Sequence, residues 1–403
     1  MEEGEERRGT LVDDMVALMS SGHAADVTIM VDGFWLPAHR AVLTARSTVF
    51  AAIFREQVLE VTGGSITAID MSHEVLGQLL QFMYSDEAPL LECVAAELLA
   101  VADKYCVSLL KQQCEEQMIF GLTVDNAADS AVLAFEHMCP KLKAAAINFI
   151  SSHYKEVMAT EGWTNALRHH TEVSVEICRL LGDAKTLEAE CETEEPAEGE
   201  DAKGRLAGDL LALLASGVCS DVTLMVGGVA LAAHRAVLAA RSPVLAEKLT
   251  DLPGGILHVA GAPEQEVRRA LRYMYSDQLP PPASITVELL ALADDYGLRV
   301  LKEYCEKHLA DEITVDNAVS VAIVAMKHSF TSLKDASLDF IGDNIFEVMD
   351  TAGWATAIHS EPEALVEISK IVSAAQRKPI PCSSGTCIPA SIQQEAASVE
   401  ADL

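Results

Sequence analysis

One long internal repeat constrains this chain more than any other feature. Asp26-Val27-Thr28-Ile29-Met30-Val31, followed by Ala38-His39-Arg40-Ala41-Val42-Leu43, returns as Asp221-Val222-Thr223-Leu224-Met225-Val226 and Ala233-His234-Arg235-Ala236-Val237-Leu238. Leu122-Thr123-Val124-Asp125-Asn126-Ala127 returns as Ile313-Thr314-Val315-Asp316-Asn317-Ala318, and Gly162-Trp163 as Gly353-Trp354. The offset is 195 residues in the first blocks and 191 in the later ones, so the second copy has lost four residues between them. A unit this long is a whole domain or two, not a solenoid repeat of 20–50 residues.

Composition narrows the function classes. A formal charge of −32 argues against nucleic acid, which needs clustered Lys and Arg to displace counterions, and against anionic membrane surfaces. The N-terminal Met1-Glu2-Glu3-Gly4-Glu5-Glu6-Arg7-Arg8 is no signal peptide, and no apolar run is long enough to cross a bilayer. The ten cysteines contain no C-x-x-C pair, which removes zinc-finger spacing. Cys106, Cys114, Cys139, Cys178 and Cys305 fall in apolar helical stretches and read as buried free thiols; Cys382 and Cys387 stand in a Pro/Ser/Gly-rich tail. A protein-binding protein of a reducing compartment, nucleus or cytoplasm or both, is the expectation.

Periodicity gives the organisation. Leu11, Met15, Leu18 and Met19 recur at helical spacing. Asp26–Val31 alternates, Asp32-Gly33 turns the chain, and Phe34–Ala38 follows, which predicts a β-hairpin. Helices are predicted over 39–54, 73–84, 93–105 and 108–120, a short strand over 66–70, and only helices from 123 onward (123–137, 140–158, 161–169, 172–184), with Thr123 and Asp125 at the first N-terminus. Leu187–Asp201 holds eight acidic residues in fifteen and reads as a solvated linker. The expected class is α+β: two small sheets capped by helices, each followed by an all-α extension. The boundaries are a disordered N-terminus 1–9, mixed domain 10–121, extension 122–185, acidic linker 186–204, mixed domain 205–312, extension 313–376 and a disordered tail 377–403.

Asp26 with His39, and Asp221 with His234, suggest an acid/base pair made twice. No spaced nucleophile, Gly-rich phosphate loop or metal-ligand triplet accompanies them, so a structural hydrogen-bonding role is expected, with no catalytic residue, cofactor or metal. Trp163 and Trp354 are expected to anchor packing.

The string from Ala38 to Ser47, repeated from Ala233 to Ser242, resembles the BTB/POZ domain. So do Phe82-Met83-Tyr84-Ser85-Asp86 and Tyr273-Met274-Tyr275-Ser276-Asp277, and Ala102-Asp103-Lys104-Tyr105 and Ala293-Asp294-Asp295-Tyr296. The V-D-N-A and G-W elements resemble the BACK extension of speckle-type POZ proteins. The resemblance spans about 10–185 and 205–376. No substrate-binding MATH domain stands before the first copy, and no Kelch or zinc-finger region after the second.

The resemblance implies recruitment of cullin-3 through an apolar-x-Glu motif after the long helix. Phe54-Arg55-Glu56-Gln57-Val58-Leu59-Glu60 fits, with Val58 filling a pocket and Glu60 orienting the loop. Tyr84 either lines the same surface or faces the core. At the matching place the second copy has Thr250-Asp251-Leu252-Pro253-Gly254-Gly255, without that motif, and favours a tight turn.

Family dimers imply that Leu11, Met15, Leu18 and Val42, with Leu206, Leu210, Leu213 and Val237, either form a dimer interface or pack within their own domains. Pairing could join the two copies in one chain as a pseudo-dimer, two chains as a homodimer, or this chain and other BTB proteins. The function implied is a non-enzymatic ubiquitin-ligase adaptor for an unknown protein substrate, recruiting through the first copy and pairing through the second. The alternatives are a scaffold or dominant-negative pairing partner and, without a DNA-binding motif, a transcriptional co-repressor.

Overall fold

In the computed structural model, alternation becomes sheet and 3.6-residue spacing becomes helix much as the sequence pattern requires. The structure describes residues 9–55, 65–67, 71–182, 205–250 and 252–375. Val58, Glu60, Asp251, Cys382, Cys387, the acidic linker, the tail and residues 1–8 and 68–70 lie outside the described residues.

The first copy runs α1 (Leu11–Ser21), β1 (Val27–Val31), β2 (Phe34–Ala38), α2 (Arg40–Arg46), α3 (Thr48–Arg55), β3 (Ser65–Thr67), α4 (His73–Ser85), α5 (Leu91–Lys104) and α6 (Ser108–Phe120). Its sheet has the order β2-β1-β3, with β2 antiparallel and β3 parallel to β1. Val27, Ile29 and Val31 alternate into the core, as the strand period of two demands. Asp32 and Gly33 close the hairpin with φ of 48° and 82°, the left-handed pair a two-residue turn needs.

The predicted helix over 39–54 is two helices, broken at Ser47. Ser47 is extended at φ −145°; its hydroxyl donates to the Tyr105 carbonyl at 2.6 Å and accepts from the Phe50 amide at 3.1 Å, so the side chain restarts the helix as an N-cap.

An all-α extension follows: α7 (Ala127–Glu136), α8 (Pro140–Ser152), α9 (Tyr154–Val157), α10 (Glu161–His169) and α11 (Thr171–Gly182). The first of these starts at Ala127 rather than 123. Asn126 Oδ1 accepts from the Thr123 amide at 2.7 Å and closes a turn that delays the helix. Trp163 is buried against Ala128, Ile147 and Ile177 in this layer.

The second copy repeats the order as α12 (Leu206–Ser216), β4 (Val222–Val226), β5 (Val229–Ala233), α13 (Arg235–Arg241), α14 (Pro243–Thr250), β6 (Ile256–Val259), α15 (Glu264–Ser276), α16 (Val287–Asp295) and α17 (Arg299–Asp311). Its sheet is β5-β4-β6 with the same senses. Register locates the lost residues. Thr28 pairs with Ser65 and Thr223 with Ile256, while α3 and α14 begin at Thr48 and Pro243. Nine residues (56–64) therefore join α3 to β3, and five (251–255) join α14 to β6.

One compact unit extends to Cys305 and a second begins at Glu306. The second holds the other extension, α18 (Ala318–Lys327), α19 (Thr331–Asp343), α20 (Ile345–Met349), α21 (Ala352–Ser360) and α22 (Pro362–Ala375), packed about Trp354, Ile341, Ile368 and Val372. Of the five cysteines expected to be buried, Cys114, Cys139 and Cys305 are, with burial pushing the Cys114 and Cys305 thiols up to about 12. Cys106 and Cys178 are exposed: Cys106 sits at φ 54° in the link between α5 and α6, and Cys178 on the outer side of α11.

Candidate protein-interaction surfaces

The two mixed domains pack on each other through their first helices. Helix α1 contacts α13 and α15, and α12 contacts α2 and α4. Leu11, Met15 and Leu18 are at most 4% exposed, as are Leu206, Leu210 and Leu213; Val42 on α2 and Val237 on α13 are fully covered. The stripes that sequence left open between own core and partner face both: α1 also packs on α4, and α12 on α15.

Two mirrored charge clusters cross this junction. The Arg46 guanidinium, 1% exposed, binds Asp86 of its own domain and Asp209 of the other, the latter at 2.6 Å. Arg241, 3% exposed, binds its own Asp277 and Asp14 across the junction. The same aspartates cap the opposite helices: the Leu206 amide donates to Asp86 Oδ2 at 2.9 Å, and the Leu11 amide to Asp277 Oδ2. Helix α12 has no side-chain cap of its own at Arg205, so the carboxylate of Asp86 meets an unfilled donor and the positive end of the helix dipole.

Local structure explains how the carboxylates arrive there. Asp86 and Asp277 end α4 and α15 in the left-handed conformation, φ 62° and 58°. Glycine is commoner at such a site but carries no side chain; aspartate tolerates it and adds a charge. Each guanidinium also lies over an aromatic ring, Arg46 over Phe82 and Arg241 over Tyr273, both at 5.4 Å. Burial raises the Asp14 carboxyl above its ordinary range, against the pull of Arg241. Sequence reading assigned a role to none of these six residues, although Arg46, Asp86, Arg241 and Asp277 stand in the motifs that carry the resemblance. The usable signal was a charged residue repeated at the end of an apolar helix, Arg46 and Arg241, matched by repeated acids in the first helices.

Of the residues assigned to cullin, only two are described. Phe54 is 9% exposed, stacked on Phe50 with ring centroids 6.1 Å apart, and has the Arg40 guanidinium 5.7 Å from its ring. Phe54 thus anchors the end of α3 in the core and does not present its ring to a partner. Tyr84 is corrected likewise. It is fully buried, and of the two placements left open the structure has the core-facing one.

Tyr84 is the centre of a hydrogen-bond chain with His39. The His39 amide donates to the Tyr84 hydroxyl oxygen at 3.0 Å, and His39 Nε2 lies 2.8 Å from the His23 carbonyl. A carbonyl only accepts, so Nε2 carries the proton, and Nδ1, 2.7 Å from the phenol, accepts the Tyr84 hydroxyl proton. His234, Tyr275 and the Val218 carbonyl repeat the arrangement at 2.9 Å throughout. Burial lowers the pKa of both histidines and raises that of both tyrosines. Asp26 is occupied elsewhere, accepting from the Arg40 amide at 2.8 Å, as Asp221 does from Arg235 at 2.7 Å. These groups tie strand to helix. Among the described residues no cluster of three or more His, Cys, Asp or Glu could hold a metal ion.

One surface difference between the copies has no counterpart in the sequence reading. Phe34 and Trp35 on the edge strand β2 are 53% and 61% exposed, with Phe34 stacked on His73 at 4.6 Å; Val229 and Ala230 replace them in the second copy.

The architecture is a small mixed sheet capped by helices, occurring twice and joined through the first helix of each copy. The BTB/POZ domain model matches residues 15–121 and 210–313, more than half of the chain, and the BPM/SPOP, BACK domain model matches 126–178. The chain belongs to the BTB/POZ family, as a tandem BTB–BACK protein. Among solved structures it is similar to the BTB domain of zebrafish PATZ1, at 21% identity over 29% of this chain and 94% of that one, TM-score 0.24. It is also similar to the BTB (Tramtrack and Bric a brac) domain of human Gigaxonin, at 24% identity over 29% of this chain and 97% of that one, TM-score 0.23.

Proposed function

We propose that this protein is a non-enzymatic adaptor that brings a cullin-3-type ubiquitin-ligase scaffold to a protein substrate, with the first BTB domain recruiting and the second pairing. The observation that carries the reading is the unequal connection after α3 and its counterpart α14. Nine residues leave α3 in the first copy and include Val58 and Glu60; five leave α14 in the second, closing through Pro253-Gly254-Gly255. Phe54 supports the reading indirectly, because its burial fixes the point from which the longer connection departs. Membership of a family of interaction modules, with a BPM/SPOP-type BACK domain beside the first copy, favours an adaptor over an enzyme. The scaffold and dominant-negative alternatives require an open pairing face, and burial of Met15, Val42, Leu210 and Val237 weighs against them.

The test is binding of the full chain to the cullin-3 N-terminal domain, for the wild type and Val58→Asp/Glu60→Lys. Wild-type binding weakened about 30-fold or more in the variant is expected, as for loss of an interface anchor worth ~2 kcal/mol. No wild-type binding ends the adaptor reading, and binding that survives the variant removes the assigned residues.

A further inference from the structure

BTB domains pair, and the question for this chain is with what. The pairing face of the first copy comprises Leu11, Met15, Leu18 and Val42 of α2; that of the second comprises Leu206, Leu210, Leu213 and Val237 of α13. All eight are at most 4% exposed within a single chain. Each buried guanidinium, Arg46 and Arg241, takes one carboxylate from its own domain and one from the other. The amides of Leu11 and Leu206, unfilled at any isolated helix start, are filled across the junction as well. The contact is therefore isologous in form: α1 meets α13 and α15 of the second copy, and its equivalent α12 meets α2 and α4 of the first, so every contact is made twice with the roles exchanged.

We propose that the chain is a single-chain dimer whose pairing face is closed by its own second BTB domain and is unavailable to another BTB protein. Two features drive closure within the chain. Residues 183–204 are long enough to span about 70 Å at full extension. A tether also raises the effective concentration of one face at the other into the millimolar range, far above that of any free competitor. An incoming BTB domain would have to separate two guanidinium–carboxylate clusters and supply an acid for each, or leave a buried positive charge half-satisfied.

The structure provides a reporter for the test. Thr44 Oγ1 of the first copy lies 3.5 Å from Cys219 Sγ of the second. Thr44→Cys places a second thiol beside the native one, close enough for a disulfide after a small approach. The purified full-length variant is oxidised mildly at low concentration and read by non-reducing electrophoresis and intact mass. The expected product is one chain lighter by two hydrogens, absent from Thr44→Cys/Cys219→Ser. A covalent two-chain product at low concentration would show the same face closed between chains and overturn the proposal. No cross-link, with both thiols still titratable, would show that first copies pair with first copies or that the face is open, and would overturn it equally. The readout does not involve cullin, so its failure and that of the adaptor reading are separate results.

Discussion

The two copies agree where a side chain answers to a buried neighbour and differ where it answers to solvent. The His39–Tyr84 and His234–Tyr275 chains match bond for bond, as do Ser47 to Tyr105 and Ser242 to Tyr296, and the two arginine clusters. The length of the connection after α3 and α14, the β2 edge and the start of the first helix do not match. Thr10 forms a capping box with Asp13, whereas Arg205 makes no side-chain cap. A buried polar group admits few partners, and a lost one costs a full desolvation penalty. An exposed loop can shorten by four residues at little cost. The duplication therefore keeps one buried pairing scaffold, and the differences between the copies fall outside it.

The largest expected effect tests whether the two clusters are equivalent. Arg46→Ala leaves Asp86 and Asp209 facing each other without a cation, and Arg241→Ala does the same to Asp277 and Asp14. Removing one partner of a buried ion pair costs about 3–5 kcal/mol, so each variant should lower denaturant stability by that order, and by equal amounts. Unequal losses would mean that one cluster holds the junction and the other merely accompanies it.

Acid titration gives the next effect. Both histidines are neutral and buried, with folded pKa below the ordinary 6.5. Above that value neither folded nor unfolded chain protonates them, and they add no pH dependence. Below it the unfolded chain takes up protons that the folded chain refuses, so stability falls as pH falls, until the folded pKa is reached. In that window each histidine contributes ~1.4 kcal/mol per pH unit, about 2.7 for the two. Asp26 lies near enough to His39 to resist its lowering, whereas His23 adds to it. Asp14 and Asp26, both raised by burial, act with the opposite sign, because the fold keeps their protons longer; their contribution sits lower, nearer the carboxylate range. Urea unfolding at pH 7.5, 6.5 and 5.5 measures the slope. His39→Gln and His234→Gln should each remove about half of it; a change from only one would break the equivalence of the two chains.

The repeat, the α+β class, the hairpin turns and the helical extensions were legible because each rests on a local period or a turn residue. The helix break at Ser47 was not, since Ser47 acts through the distant Tyr105 carbonyl. The late start at Ala127 turned on one side chain, Asn126, folding back on the Thr123 amide. Tyr84 could not be assigned to core or surface from spacing alone: its hydroxyl is polar, and only the position of His39, 45 residues earlier, shows that the polar end is satisfied inside. The arginine clusters stayed hidden for the same reason. A charged residue reads as solvated until the acids that bury it are brought in from α1, α4, α12 and α15.

The smallest expected effect falls at the shortened connection and sharpens the difference between the copies. Gly255 has φ 65°, and a Cβ there would stand 2.5 Å from the Asp221 carbonyl oxygen, where only backbone could yield. Gly255→Ala should therefore cost about 1–3 kcal/mol, from the left-handed strain and the forced shift of the strand start. Gly64 occupies the equivalent place in the repeat, in a connection four residues longer. Thermal melts of Gly255→Ala and Gly64→Ala separate the two cases. A larger loss at Gly255 is the expected result, and it identifies the tight turn as a fixed feature of the second copy alone. Equal losses would mean that the longer connection meets its strand in the same strained way, and that the copies differ there in length and side chains rather than in backbone constraint.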